Sequence, residues 1–198
     1  MSQTGRTRAQ ALGAMAAGGA VLGAGAFAGG LLQPQAGHGA PSQEQDVRIF
    51  NFLLVLEEAQ SAFYAAALAG GALDGDLLEY AKVVAPQERE HVAFLRKKLG
   101  GKAGARPRLD FSKVTTDAGR FRATAIDLEE ATAAAYIGQG ASLTRDAVVD
   151  AARIVAVEAR HAAWIRDLAG VLPAPRPADP PRSASDVVAE LRTKGFLR

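Results

Sequence analysis

Glu88-Arg89-Glu90-His91 and Glu158-Ala159-Arg160-His161 are two copies of the pattern Glu-x-x-His, and each follows a segment carrying a Glu with a Tyr seven residues later. Those upstream segments are themselves repeated. Leu56-Glu57-Glu58-Ala59-Gln60-Ser61-Ala62-Phe63-Tyr64 recurs as Leu128-Glu129-Glu130-Ala131-Thr132-Ala133-Ala134-Ala135-Tyr136, with six of nine positions identical. The copies lie 72 residues apart for Glu57 and Glu129 and 70 residues apart for Glu88 and Glu158. The near-equal spacing means that one helix pair is present twice, and the four segments together make a ligand set for two metal ions.

Working outward, apolar residues three or four apart put Phe50, Leu53, Leu54, Glu57, Ser61, Tyr64 and Leu68 on one stripe of a first helix. It should start near Ser42, where Gln45 completes a capping-box pattern, and stop at Gly70-Gly71. A second helix follows the Asp74-Gly75 turn, with Leu77, Ala81, Val84, Glu88, His91 and Leu95 inward and Gly100-Gly101 as its stop. Pro86 lies inside it and is expected to kink it, because proline removes one backbone hydrogen bond. The third helix is expected from about Thr116 to Gly138, with Ala125, Glu129, Thr132, Ala133 and Tyr136 inward. A fourth runs from Thr144 or Asp146 to Gly170, with Ala151, Ile154, Glu158, His161, Ile165 and Leu168 inward. A Pro-rich arm and a short helix near Ser185 to Lys194 complete the chain.

Loop lengths decide the topology. The first and third connections are short and force antiparallel neighbours, whereas Gly100 to about Thr115 is long. Sixteen residues reach roughly 55 Å when extended, against roughly 38 Å for a 25-residue helix, so this segment can traverse the bundle as an ordered strap. The expected fold is all-α: a four-helix bundle of two hairpins over residues 42–170, joined by one long crossover between helices 2 and 3. Residues 171–198 add the arm and the C-terminal helix.

Composition narrows the class further. The chain of 198 residues is 48% hydrophobic and only 6% aromatic, which suits one domain of closely packed helices plus tails. Residues 1–28 carry Arg6 and Arg8, no acid, and an Ala/Gly/Leu run ending in Ala26-Phe27-Ala28. That is the form of a secretory signal, and Gly5-Arg6-Thr7-Arg8 is similar to a degenerate twin-arginine signal without the adjacent Arg pair. Export is therefore expected, with residues 29–41 as a linker. An uncleaved membrane anchor is the alternative, although seven glycines between Gly13 and Gly30 weaken a spanning helix, and no stable span is expected after processing. Without Arg6 and Arg8, 21 basic residues face 21 acidic ones, a balance that does not favour nucleic acid as a partner. The chain has no cysteine, which excludes disulfides, thiolate nucleophiles and Cys-ligated metal.

The spacing of three in Glu-x-x-His places a carboxylate and an imidazole on one helical face, within reach of one metal or of adjacent metals. Imidazole suits iron, zinc or copper, and carboxylates suit harder cations and can bridge two ions. Four carboxylates supply four negative charges that two divalent ions cancel. Without metal the same carboxylates would crowd a low-dielectric interior at a cost of several kcal/mol per uncompensated charge.

On these residues the chain from about Asp46 to Gly170 resembles the ferritin-like superfamily. The series Leu-Glu-x-x-x-x-x-Phe-Tyr, Glu-x-x-His, Leu-Glu, Glu-x-x-His-Ala-Ala is most similar to the exported ferritin-like domain proteins that include plant desiccation-related proteins. The resemblance implies that Glu57 and Glu129 are the single-carboxylate ligands and that Glu88, His91, Glu158 and His161 supply the rest. It implies two iron ions, or manganese or a mixed iron and manganese pair, reacting with O2 or peroxide. A His for each metal is similar to bacterioferritin, rubrerythrin and di-iron oxidases and unlike animal ferritins, so cage-type storage does not follow.

Tyr64 and Tyr136, two turns from their glutamates, correspond to tyrosines that bond a ligand in related proteins, and packing alone accounts for them equally well. Glu58, Glu90 and Glu130 fall off the inward stripe and are expected at the surface; Phe94 and Trp164 are expected in the core, and His38 in a solvated linker. Two rival readings stay open: a secreted structural or stress-protective bundle whose site is vestigial or only stabilising, and a di-manganese catalase. Homo-oligomerisation is left open as well.

Overall fold

The computed structural model describes residues 40–198. The export leader and most of the linker read from the sequence lie outside the described residues. Five α-helices follow in order: α1 (Gln43–Gly70), α2 (Gly75–Leu99), α3 (Ala118–Gly140), α4 (Arg145–Leu168) and α5 (Ala184–Thr193). Ser42 caps α1 by accepting a hydrogen bond from the Gln45 amide at 3.2 Å, and Gly71 ends it in the left-handed conformation with φ 65°. Asp117 caps α3 by accepting from the Arg120 amide, so that helix begins two residues later than the sequence pattern indicates and runs on to Gly140. Helix α2 continues through Pro86 to Leu99.

Helices α1 and α2 form one hairpin and α3 and α4 the other; α1 also packs on α3, and α2 on α4. Side-chain pairs give the directions. Lys98 meets Asp150, His91 meets Glu158, and Tyr80 meets Trp164, so α2 and α4 run antiparallel.

Helix α1 is the centre of the molecule, buried on nearly every side from Ile49 to Gln60. Its length and hydropathy would pass for a membrane span, but its apolar surface is covered within the fold. The crossover provides the outer cover and runs alongside α1 from one end to the other. Asn51 donates to the Lys102 carbonyl at 3.0 Å and accepts from the Gly104 amide at 2.6 Å. Further along, Phe63 meets Phe111 with ring centroids 5.4 Å apart, and Phe63 stacks on Phe121 at 5.1 Å. Burying each such aromatic or aliphatic side chain is worth about 1.5–3 kcal/mol, which is why a strap without regular structure holds its place.

Three expectations are corrected. Glu58 is buried rather than on the surface, because Arg96 of α2 bonds it directly and Arg106 of the crossover lies 3.9 Å away. Trp164 is 38% exposed, its ring edge set against buried Tyr80, and Phe94 is half-buried. Ser61 and Leu68 are half-buried too, since the cover over α1 shifts its most buried face toward Gln60 and Phe63.

The C-terminal tail docks on the chain's own crossover. Leu197 pairs with Leu109 in an antiparallel bridge, and the Asp110 amide donates to the Phe196 carbonyl at 3.1 Å. Before it, the Pro-rich arm crosses α3, where the Arg182 amide donates to the Ala134 carbonyl at 2.9 Å. This approach requires Gly138, because a Cβ there would lie 2.1 Å from the Arg182 carbonyl oxygen. Gly138→Ala should therefore lift the arm and cost about 1–3 kcal/mol of overpacking, seen as a lower unfolding midpoint and faster proteolysis between residues 171 and 183. An unchanged midpoint would show that the arm is not clamped there.

Candidate metal centre

The two hairpins put the four ligand-bearing segments at the same height in the bundle. Glu57 comes from α1, Glu88 and His91 from α2, Glu129 from α3, and Glu158 and His161 from α4. All four carboxylates are 0% exposed, and the His91 and His161 residues are 8% and 4% exposed. They form two overlapping groups, Glu57, Glu88, His91 and Glu158 on one side and Glu88, Glu129, Glu158 and His161 on the other. Within each group the donor atoms lie within 4.8 Å of one another, close enough to hold a metal ion. Glu88 and Glu158 belong to both groups, the place a bridging carboxylate must occupy.

Both imidazoles turn Nδ1 inward. His91 Nδ1 lies 2.9 Å from Glu158 Oε1 and 3.2 Å from Glu57 Oε2, and His161 Nδ1 lies 3.0 Å from Glu88 Oε1 and 3.5 Å from Glu129 Oε2. The outer nitrogen of His161 faces Gln87 Oε1 at 2.8 Å. Gln87 can only accept there, so Nε2 carries the hydrogen and, in the neutral ring, the Nδ1 lone pair points into the cluster.

The tyrosines bond across the repeat. Tyr64 of α1 donates to Glu129 of α3, and Tyr136 of α3 donates to Glu57 of α1 at 2.6 Å. This crossing also shows that α1 and α3 are antiparallel, since parallel neighbours would pair Glu57 with Glu129. Since Tyr64 gives its one proton to Glu129, Tyr80 donates to the Tyr64 hydroxyl at 2.9 Å. Burial first and the adjacent Glu129 second push Tyr64 well above its ordinary pKa, and burial with Glu57 does the same for Tyr136, so both stay donors.

Several groups of the site had no signal in the stripe analysis. Gln60 donates at 2.9 Å to both Glu129 Oε2 and Glu158 Oε2. It sits three residues after Glu57, the same spacing that separates Glu88 from His91, and that spacing could have flagged it. Gln87 and Tyr80 follow no such rule. Glu90 and Glu130 are exposed, as expected from their positions off the stripe.

Electrostatics explain what this set requires. Burial, then the neighbouring Glu158, holds Glu57 far above the usual carboxylate range, and burial with Glu158 and Glu129 raises Glu88. Burial pushes Glu129 up to about 7. For His91 burial acts downward, but contacts with Glu158, Glu57 and Glu88 outweigh it and push the ring up to about 12. The same balance, with Glu129 and Glu88, takes His161 to about 10. Without metal, the site neutralises itself by holding protons.

The donor chemistry fits metal on a second count. Both oxygens of Glu88, Oε1 of Glu158 and Nδ1 of His161 are buried and, although imidazole and carboxylate atoms approach to 2.9–3.0 Å, make no hydrogen bond of good geometry; all belong to the two groups. Buried polar atoms left unpaired cost about 1–3 kcal/mol each, so a cluster of them pointing at one another is one that a cation could satisfy.

Comparison with known proteins agrees with the geometry. The family model of the ferritin-like domain matches residues 45–171, and the chain belongs to that family. No protein of curated function matches it.

Proton linkage gives a testable sign. The metal-free fold binds more protons than the unfolded chain, whose groups titrate near 4.5 for Glu and 6.5 for His. The raised carboxyl of Glu129 loses its contribution as pH climbs from 4.5 toward about 7, and the raised imidazoles lose theirs above 6.5 toward about 10 and 12. Metal-free protein should thus become less stable from pH 5 to pH 9, and metal binding should release protons and tighten as pH rises. Calorimetry in buffers of different ionisation enthalpy reads the protons; heats independent of buffer would contradict the assignment.

Proposed function

We propose that this ferritin-like chain holds two iron ions between its four glutamates and two histidines and uses them to oxidise ferrous iron or to react with O2 or peroxide. The observation that carries the reading is the pair of overlapping buried donor groups, with unpaired atoms on their shared carboxylates. Glu57 and His91 would hold one ion, Glu129 and His161 the other, and Glu88 and Glu158 would bridge. Bound iron would supply the ferrous-to-ferric change, with O2 or peroxide as electron acceptor.

The chain's own residues provide the rest. Tyr64 and Tyr136 keep Glu129 and Glu57 in fixed orientation, Gln87 sets the His161 tautomer, and complete burial of the carboxylates excludes bulk water. Such a site admits ions and small molecules in preference to bulky substrates.

The reading places the protein outside the cytoplasm, among exported ferritin-like proteins of the desiccation-related type. That placement rests on the basic start and Ala-rich run of residues 1–28 and on the motif series around the ligands.

Anaerobic ferrous titration should saturate near two ions per chain, and a variant carrying both Glu88→Ala and His91→Ala should lose most binding. Saturation unchanged in that variant would refute the assignment. For export, sequencing the N-terminus of protein from the extracytoplasmic fraction should find a chain beginning near residue 29.

A further inference from the structure

We propose that the two metal positions are unequal: Gln60 and Gln87 prebuild the position of Glu129 and His161 as a tight, resident site, and the position of Glu57 and His91 is the looser one at which a divalent cation exchanges. This deepens the two-ion reading above and rests on it.

The duplication supplies the internal comparison. The six donor residues match between the repeats, but the residues that hold them do not. Gln60 corresponds to Thr132 and Gln87 to Val157 by the spacings that relate the repeats. The Gln60 amide, fully buried, uses both hydrogens, one on Glu129 and one on the bridging Glu158, each at 2.9 Å. Its carbonyl oxygen is left without a partner. Burying an amide with one end unpaired is costly, so the donor end is held in place by what it does for the two carboxylates. Thr132 carries one hydroxyl where the amide has two donors, and Val157 has no polar atom at all.

The imidazoles differ in the same direction. Gln87 holds the outer nitrogen of His161 at 2.8 Å, and the His161 side chain is 5% exposed against 11% for His91. Tyr64 is in turn supported by Tyr80, whereas the residue matching Tyr80 in the other repeat is Asp150, paired with Lys98 on the outer side of the α2 and α4 contact. Every anchor that distinguishes the halves thus reaches the Glu129 and His161 side, and only the second bond of Gln60 goes to the shared Glu158. Ligands held in place bind metal more tightly, because less orientational freedom is lost on binding; removing such a partner costs about 10–100-fold in affinity. The less anchored and more exposed His91 side is where an ion enters and leaves.

The test is anaerobic titration of the full chain with Co2+, followed by calorimetry and by visible d–d absorption, neither of which requires turnover. Wild type should bind in two resolved steps. His161→Ala should remove the tight step and His91→Ala the weak one. Gln87→Leu, at a half-buried position where the fold tolerates change, should weaken the tight step about 10–100-fold and leave the weak step unchanged. Gln87→Glu restores an acceptor for Nε2–H and should restore the tight step with its wild-type Co2+ spectrum, which a merely structural role would not do. Gln60→Ala should likewise lower the tight step in protein whose circular dichroism stays helical. Two equal steps in wild type, loss of the tight step in His91→Ala, or Gln87→Leu weakening both steps alike would overturn this inference while leaving the two-ion reading intact. Absence of Co2+ binding in wild type would overturn both.

Discussion

Four carboxylates meet in the apolar centre of this bundle, and the fold stands only because something positive answers them. Taking an ion out of water costs several kcal/mol even after relaxation, so four side by side without compensation would exceed the net stability of a domain this size. In the metal-free chain the answer is protons, held by His91, His161 and the raised glutamates. Divalent cations would answer better, because they would also satisfy the poorly paired oxygens of Glu88 and Glu158. The same constraint organises the packing around the site. The hydrogen bonds that orient the terminal glutamates, from Tyr64 to Glu129 and from Tyr136 to Glu57, are also bonds between the two hairpins. The bonds that orient the site thus also join the two halves of the bundle.

Duplication explains the near-symmetry, and divergence explains its limits. Each repeat contributes Glu, Tyr, Glu and His at matching positions, and the crossed tyrosines follow from an approximate two-fold relation between the hairpins. The coverings are not symmetric. Helix α1 is covered by the crossover, which in turn carries the C-terminal tail, whereas α3 carries α5 and the Pro-rich arm over Ala134 and Gly138. Gly138, where α1 has Ala66, makes room for this close approach, while Phe63 of α1, where α3 has Ala135, anchors the aromatic cluster beneath the strap.

The helices and their ligands were legible because local chemistry specifies them. Ser42 and Gly71 mark helix ends through their own hydrogen bonding or backbone conformation, and a spacing of three or four is enough to line up Glu88 with His91. Spacing cannot show what lies on the far side of a helix. Glu58 sits beside the inward stripe of α1, and only the position of Arg96 and the crossover turns it from a surface charge into a buried one. Trp164 matches Phe94 in the other repeat, yet among the described residues its ring lies half-open, its edge set against Tyr80. Gln60 and Gln87 were hidden for a similar reason: their partners come from 69 to 98 residues away in sequence, and apart from the spacing of Gln60 from Glu57 nothing local marks them out from glutamines in water.

The most direct measurement is an anomalous difference map, recorded at the iron edge from crystals loaded with ferrous iron without oxygen. Two peaks should appear within the bundle, one between Glu57 and His91 and one between Glu129 and His161, with Glu88 and Glu158 touching both. A map without peaks there, in which the carboxylates bond only to the imidazoles, would contradict the account.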